Sequence, residues 1–412
     1  MPRSRFAAVA ACVSLSWLAH PAAAATATSA KHAKTAPAAR ATAPEFARDL
    51  PDQAFYQRMV AEVGDACDTT LGGFVRHSGA PCESAIELAL LLGRREGQEA
   101  WAASGIRTVN TMLALEDSLS GGFYVRKESS PGDALFDRPM IENARRLENL
   151  VDAWQLTGNT RYWVVGVRVL EFANRNMEDG RGGFTTNPVG DQDLIPEVNG
   201  VAIHAWLRWW AIARETRKRD FALRSIDRVW ATCWQESLGL VRTSFEQGQG
   251  WPRLADQVEM GRALALSAHL VGRASDLARA RKIADLLLVE FADGHGGFMS
   301  VAERNRKGQL RHGSSGAREN GRAALFLVEM AHVAHEPRYL AAARQTWRAF
   351  EKSLRKARLD SADWALALDA VVAPNFPAKP SDGPGDPRNP AKDASTKDRS
   401  RFPDGKVGVE TR

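Results

Sequence analysis

Gly-Gly-Phe occurs at 72–74, 121–123, 182–184 and 296–298, with a degenerate Leu238-Gly239-Leu240 where a further copy is due, so the steps are 49, 61, 57 and 57 residues. A fixed period constrains the fold more than any local secondary-structure assignment, and one of this length holds two helices and their loops. After each copy comes a loop of about ten to twenty residues, then an apolar helix, a short connection such as that at 157–160, and a second, amphipathic helix that leads to the next copy. First helices are expected near 82–94, 139–157, 196–215, 254–272 and 317–334, and second helices near 98–115, 160–176, 219–234, 276–292 and 336–353. Two helices, near 53–67 and 361–371, remain at opposite ends of the chain. Paired with each other they make a sixth hairpin and close a ring.

The chain is therefore expected to be all-α, an (α/α)6 toroid of six helical hairpins. The first helices are apolar nearly all round, as at 201–213, which suits an inner ring packed on both sides. The second helices carry charged faces, as at 279–285, and suit an outer ring. Parallel inner helices put their N-termini and the long Gly-Gly-Phe loops on one face. The glycines permit a positive φ and a tight reversal, while the Phe turns back against the ring.

The ends read differently. A basic start with Arg3 and Arg5, an apolar run over 6–19 and small residues at 22–25 have the form of a secretory signal peptide over 1–25, so a periplasmic or secreted address is expected. The apolar run is too short to span a bilayer and no later stretch is long and uncharged enough. Residues 26–50 read as a flexible linker, 51–372 as the toroid and 373–412 as a disordered tail. Residues 1–44 carry five Lys/Arg and no acid and 373–412 carry eight against six, so of the total charge of +6 only −1 is left for 45–372. A body of that charge is not built for nucleic acid. Beyond the leader, Cys67, Cys82 and Cys233 show no Cys-x-x-Cys spacing, so no zinc knuckle or redox pair is written. A bridge between Cys67 and Cys82 stays open.

These blocks resemble a known family, the spermatogenesis-associated type that joins a thioredoxin fold to a six-hairpin glycosidase-like domain. The resemblance covers about 53–372. It rests on Leu71-Gly-Gly-Phe, on Ser120-Gly-Gly-Phe-Tyr-Val-Arg126, and on 136–144, which is similar to the family's His-Phe-Glu-Lys-Met-Leu-Tyr-Asp-Asn-Ala block. It continues with Asn199-Gly200, Asp256, and Gly313-Ser-Ser-Gly316 before Glu319-Asn320. The thioredoxin domain is missing here, and the family's His, Glu and Lys in that block correspond to Leu135, Asp137 and Arg138. The resemblance implies the toroid and, more loosely, the chemistry of glycoside hydrolases, epimerases and lyases that share it.

With the inner-helix N-termini on one face, carboxylates from several hairpins surround one concavity, and glycosidic cleavage needs two of them flanking the bond. Asp137, Glu142 and Glu319 are the catalytic candidates. Asp137, in a loop, suits the proton donor; Glu142, in a first helical turn where the dipole favours charge, suits base or nucleophile. Arg138, Asn143, Glu197, Asn199, Asp256, Glu259, Arg318 and Asn320 are candidates for holding substrate, with Tyr124 and Trp251 as stacking platforms. Each acid also has a plain reading as a helix cap or dipole partner. Arg138, Arg145, Arg253, Arg262, Arg318 and Arg322 either hold an anionic sugar or pair with neighbouring carboxylates, and both readings stay open. His204 is expected to be buried and hydrogen-bonded, and His332 and His335 lie at the far end of a helix. No metal site or cofactor is expected. The partner is a carbohydrate or polysaccharide, possibly acidic, and the protein acts on it or, as the alternative, only binds it as a degenerate toroid.

Overall fold

The computed structural model describes residues 53–68, 70–126, 138–188, 193–242, 251–302, 316–372 and 375–379. Among them are twelve α-helices: α1 (Gln53–Asp65), α2 (Glu83–Gly93), α3 (Glu99–Met112), α4 (Met140–Thr157), α5 (Thr160–Asn176), α6 (Pro196–Ala213), α7 (Thr216–Cys233), α8 (Leu254–Val271), α9 (Ala274–Leu286), α10 (Ala317–Ala334), α11 (Pro337–Phe350) and α12 (Ala362–Asp369). Boundaries fall within a few residues of those expected from the repeat. The main departures are a π-helical turn, Leu287–Phe291, that finishes α9, and a 3-10 turn, Arg358–Ser361, that leads into α12.

Helices α2, α4, α6, α8, α10 and α12 each pack against the next, and α12 packs against α2, so they form a closed inner ring. Each of α3, α5, α7, α9 and α11 packs on the inner helix before it, and α1 packs on α12. The sixth hairpin is thus built from the two ends of the body. Tyr56 on α1 donates to Asp369 on α12 at 2.6 Å, and Arg95, just beyond α2, grips the same carboxylate at 2.6 and 2.7 Å.

The inner helices are buried nearly all round, as the apolar patterning requires; Trp206 and Trp209 are among the largest fully buried side chains. Burying a large apolar side chain contributes about 1.5–3 kcal/mol, and the rings of this ring-shaped core are packed on two sides. Close approach of α6 to α8 depends on Gly200, where an added Cβ would lie 2.4 Å from the Glu259 carbonyl carbon. The turn glycines behave as expected: Gly122 has φ 79° and a Cβ there would meet the Phe172 ring at 2.5 Å.

Beyond the expected boundary at 372, Phe376 stacks on His269 of α8 at 4.8 Å and packs against the core. The signal peptide, the linker and most of the tail lie outside the described residues. Among the described residues Cys67, Cys82 and Cys233 form no disulfide. Cys82 is buried at the start of α2, and that burial pushes its thiol up to about 11.

Candidate functional site

Four of the six inner helices, α4, α6, α8 and α10, are fixed at their N-termini to the turn before them by one side-chain amide. Asn143 accepts from the Phe123 N–H at 2.7 Å and donates to the Phe123 and Pro139 carbonyls at 3.2 and 2.9 Å. Asn199 does the same to Phe184 (2.8 and 3.2 Å), and Asn320 to Phe298 (2.7 and 3.0 Å). Gln257 serves the degenerate copy, accepting from Leu240 N–H at 2.9 Å and donating to its carbonyl at 2.7 Å. All four amides stand at the fourth position of their helices. They act as clasps with both amide hydrogens in use, so Asn143, Asn199 and Asn320 are committed to the loops instead of facing a ligand. The turns also begin on an aspartate that binds loop N–H groups: Asp68, Asp117, Asp179 and Asp293. Together these give a longer signature than Gly-Gly-Phe: an Asp three or four residues before the first glycine, and an amide four residues into the next helix.

Next to the clasps, every inner helix carries an acid in its first turn: Glu83, Glu142, Glu197, Asp256, Glu319 and Asp363. All six complement a helix dipole. Their environments nevertheless differ. Burial raises the Glu142 carboxyl above its ordinary range, with Glu83 adding to it and Arg146 and Arg145 opposing. Burial also raises Glu197, reinforced by Asp256 and Glu259. The dipole alone favours an ionised Glu142, but desolvation outweighs it, so this group holds its proton better than an exposed glutamate. Asp256 is fully buried, takes the Glu197 N–H at 3.0 Å and shares Arg242 with Glu197 (2.9 and 2.8 Å). Glu319 accepts from the Ser300 hydroxyl at 2.6 Å.

Below the first turns the lumen is filled by ion pairs. Arg145 of α4 reaches past α6 to Glu259 of α8 at 3.1 Å, and Arg322 of α10 binds the same carboxylate bidentately at 2.8 and 2.6 Å. Burial opposes the Glu259 charge, but the Arg322 and Arg145 guanidiniums hold its carboxyl far below the usual range. Arg262 grips Glu329 (2.7 Å), Arg208 binds Asp152 (2.7 Å), Arg146 meets Glu83 (3.2 Å), and His204 pairs with Glu148. Glu148 is buried, yet His204 and Arg208 draw it down to about 2. Glu87 lines the same space, and burial raises its carboxyl. The remaining cavity is about 10 Å³, at most one water. A groove of about 430 Å³ lies elsewhere, on the outer wall between α5 and α7, where Lys218 is tied to Glu178 at 3.0 Å.

Glu142, Glu197, Asp256 and Glu319 stand in the first turns of α4, α6, α8 and α10, and Glu259 stands about one turn further along α8. Asp137 lies outside the described residues, as does Leu135. Arg138 binds Asp117 (2.8 Å) and the Gly121 carbonyl (3.0 Å) and stacks over Tyr124 and Phe172, so it anchors its own loop. Tyr124 donates to the same Asp117 at 3.2 Å. Arg318 is half-exposed, 3.7 Å from Asp363, and Trp251 is 42 % exposed just before α8. Arg318, held that loosely, keeps both readings. For Arg138, Arg145, Arg262 and Arg322 they resolve toward internal pairing. That removes their support for an anionic sugar. Glu87, Glu148 and Arg242 were missed. The first two stand one turn beyond Glu83 and Ala144, a spacing that marks them as inward-facing.

The fold matches solved carbohydrate-active enzymes at low identity. Cellobiose 2-epimerase from Spirochaeta thermophila aligns with TM-score 0.60 at 13% identity over 78% of this chain and 100% of its own. A GH76 α-mannanase from Bacteroides thetaiotaomicron gives 0.60 at 12% over 77% and 95%. Unsaturated glucuronyl hydrolase from a Bacillus species gives 0.58 at 12% over 78% and 97%. No protein-family model and no curated protein sequence matches this chain. Identity this low shows the six-hairpin glycosidase-like fold and no more.

Proposed function

We propose that the protein is an exported, carbohydrate-active toroid whose site is the mouth formed by the first turns of α4, α6, α8 and α10. One observation carries this reading: two first-turn carboxyls at one end of the ring, Glu142 and Glu197, are pushed above their ordinary range by burial, with Glu83 and Glu319 in the matching turns of α2 and α10. A carboxyl that holds its proton, with further carboxylates in the neighbouring first turns, is what acid–base cleavage of a glycosidic bond requires. Glu142 is the proton donor, the reverse of the base role its helix position suggests. Glu83 next to it and Glu319 across the ring are the candidates for the base or nucleophile. Glu259 is too tightly held by Arg322 to serve there, and it fixes the floor beneath. Hydrolysis is the first expectation, with epimerase or lyase chemistry next. The blocks around Gly-Gly-Phe and Glu142-Asn143 support kinship with the spermatogenesis-associated type.

A second reading, a non-catalytic saccharide binder, draws support from the filled lumen. Glu142→Gln separates the two. It keeps shape and removes the proton that is donated, so an enzyme loses turnover about a hundredfold or more while still binding its polysaccharide. Unchanged turnover would remove Glu142 from the chemistry. A wild-type protein that binds a polysaccharide but never turns it over establishes the second reading. Cell fractionation with N-terminal sequencing of the mature chain tests export, and a cytoplasmic, uncleaved protein would overturn it.

A further inference from the structure

We infer, on the reading that the mouth takes saccharide, that it takes an internal stretch of a chain lying across the ring and not a chain end inserted down the axis. The lumen is closed directly beneath the first turns. Arg145 spans it from α4 to α8, and Arg322 meets the same Glu259 from α10. Arg146 on Glu83 and His204 on Glu148 close the sector between α2, α4 and α6. What is left, about 10 Å³, compares with several hundred Å³ for a pocket that engulfs a small ligand. A terminal sugar pushed down the axis would have to displace Arg145, stripping one guanidinium from a carboxylate that is buried with three arginines around it. The Arg322 pair is short and buried on both sides and Arg145 adds a second contact at 3.1 Å, so the floor resists being opened.

The platform also lies to one side. Trp251 precedes α8 by three residues and is 42 % exposed, while its neighbour Leu254 is fixed by an N–H bond to the Ser300 carbonyl at 2.9 Å. An indole exposed just ahead of the first turn of α8 suits a sugar that runs over the mouth. The first-turn acids then meet the middle of a bound chain from below. This arrangement predicts indifference to chain ends.

The test uses the full mature protein and a panel of a soluble α-mannan, a β-glucan, a β-xylan, polygalacturonate and a deacetylated chitin. Each is offered intact, and again after fragmentation to about ten times as many ends at equal sugar mass. For the polymer that is bound or cut, the expected result is affinity or rate per sugar mass unchanged within twofold. If it is cut, viscosity falls before an equivalent number of reducing ends appears. Trp251→Ala, at an exposed position that leaves the core intact, weakens binding of the intact chain roughly three- to tenfold, as expected for losing one aromatic contact. A rise in rate or affinity in proportion to the ends, or mono- and disaccharides as first products, overturns this inference and leaves the carbohydrate reading standing. No binding of any intact or fragmented polymer overturns both.

Discussion

Glu259→Gln is the sharpest perturbation of this molecule, because one carboxylate neutralises guanidiniums from three helices' worth of wall. The structure gives it a bidentate partner in Arg322, a second in Arg145 and a third, at 3.9 Å, in Arg262. Glutamine keeps the shape but removes the charge and turns an N–H toward an arginine. Removing one member of a buried ion network typically costs about 3–5 kcal/mol, since the partners are left buried and uncompensated. Against a total stability of roughly 5–15 kcal/mol, that is about a fifth or more. At about 2–4 °C per kcal/mol, the melting temperature should fall by roughly 6–20 °C. The assay is urea unfolding followed by tryptophan fluorescence at pH 7, with thermal melts alongside. The pH dependence fixes the sign. The folded-state carboxyl of Glu259 lies well below its unfolded value, so its contribution is fully present above about pH 4.3 and is lost as pH falls through the depressed folded value. The gap between wild type and Glu259→Gln should therefore be flat from pH 5 to 8, to within about 0.5 kcal/mol, and shrink in stronger acid. In a double-mutant cycle with Arg322→Met the two losses should not add. A loss below about 1 kcal/mol at pH 7, or additive losses, would refute the claim that this network closes the lumen.

Other consequences follow from the clasps, the raised acid and the chain end. Glu142→Gln should be more stable than wild type at neutral pH, by roughly 1–3 °C, because a carboxyl raised in the folded state costs stability as pH rises through its unfolded and folded values; the advantage should vanish below about pH 4, and a destabilised variant would show that the charge is wanted. Asn320→Ala strands the buried Phe298 N–H and carbonyl and should cost about 2–4 kcal/mol in urea unfolding, whereas a near-neutral effect would remove the clasp. Ending the chain at 372 should lower the melting temperature measurably, while ending it at 380 should not, because Phe376 packs on His269; equal melts would put the boundary at 372.

The sequence by itself determined the ring. Its repeat period, the Gly-Gly-Phe turns and the polarity difference between first and second helices are short-range properties, and each hairpin writes them locally. Even the closing pair was legible, because α1 and α12 were the helices without partners at the two ends of the repeat. Glu142 and Glu319 could be placed at the mouth for the same reason: position within a helix is local. What Asn143 does was not legible, since an amide beside an acid at a helix start reads equally as ligand or clasp until the Phe123 backbone is seen against it. Nor were the arginines' choices. Arg145 finds Glu259 at 114 positions' remove, and Arg322 finds the same group at 63. The direction in which Glu142 is shifted was not legible on the same account: a helix dipole is local, whereas desolvation is set by everything packed around the group. Tertiary structure alone decided that the lumen is closed and that the acids differ, because burial and Coulomb energy sum over atoms brought together from five or six helices, and spacing along one chain does not encode those distances.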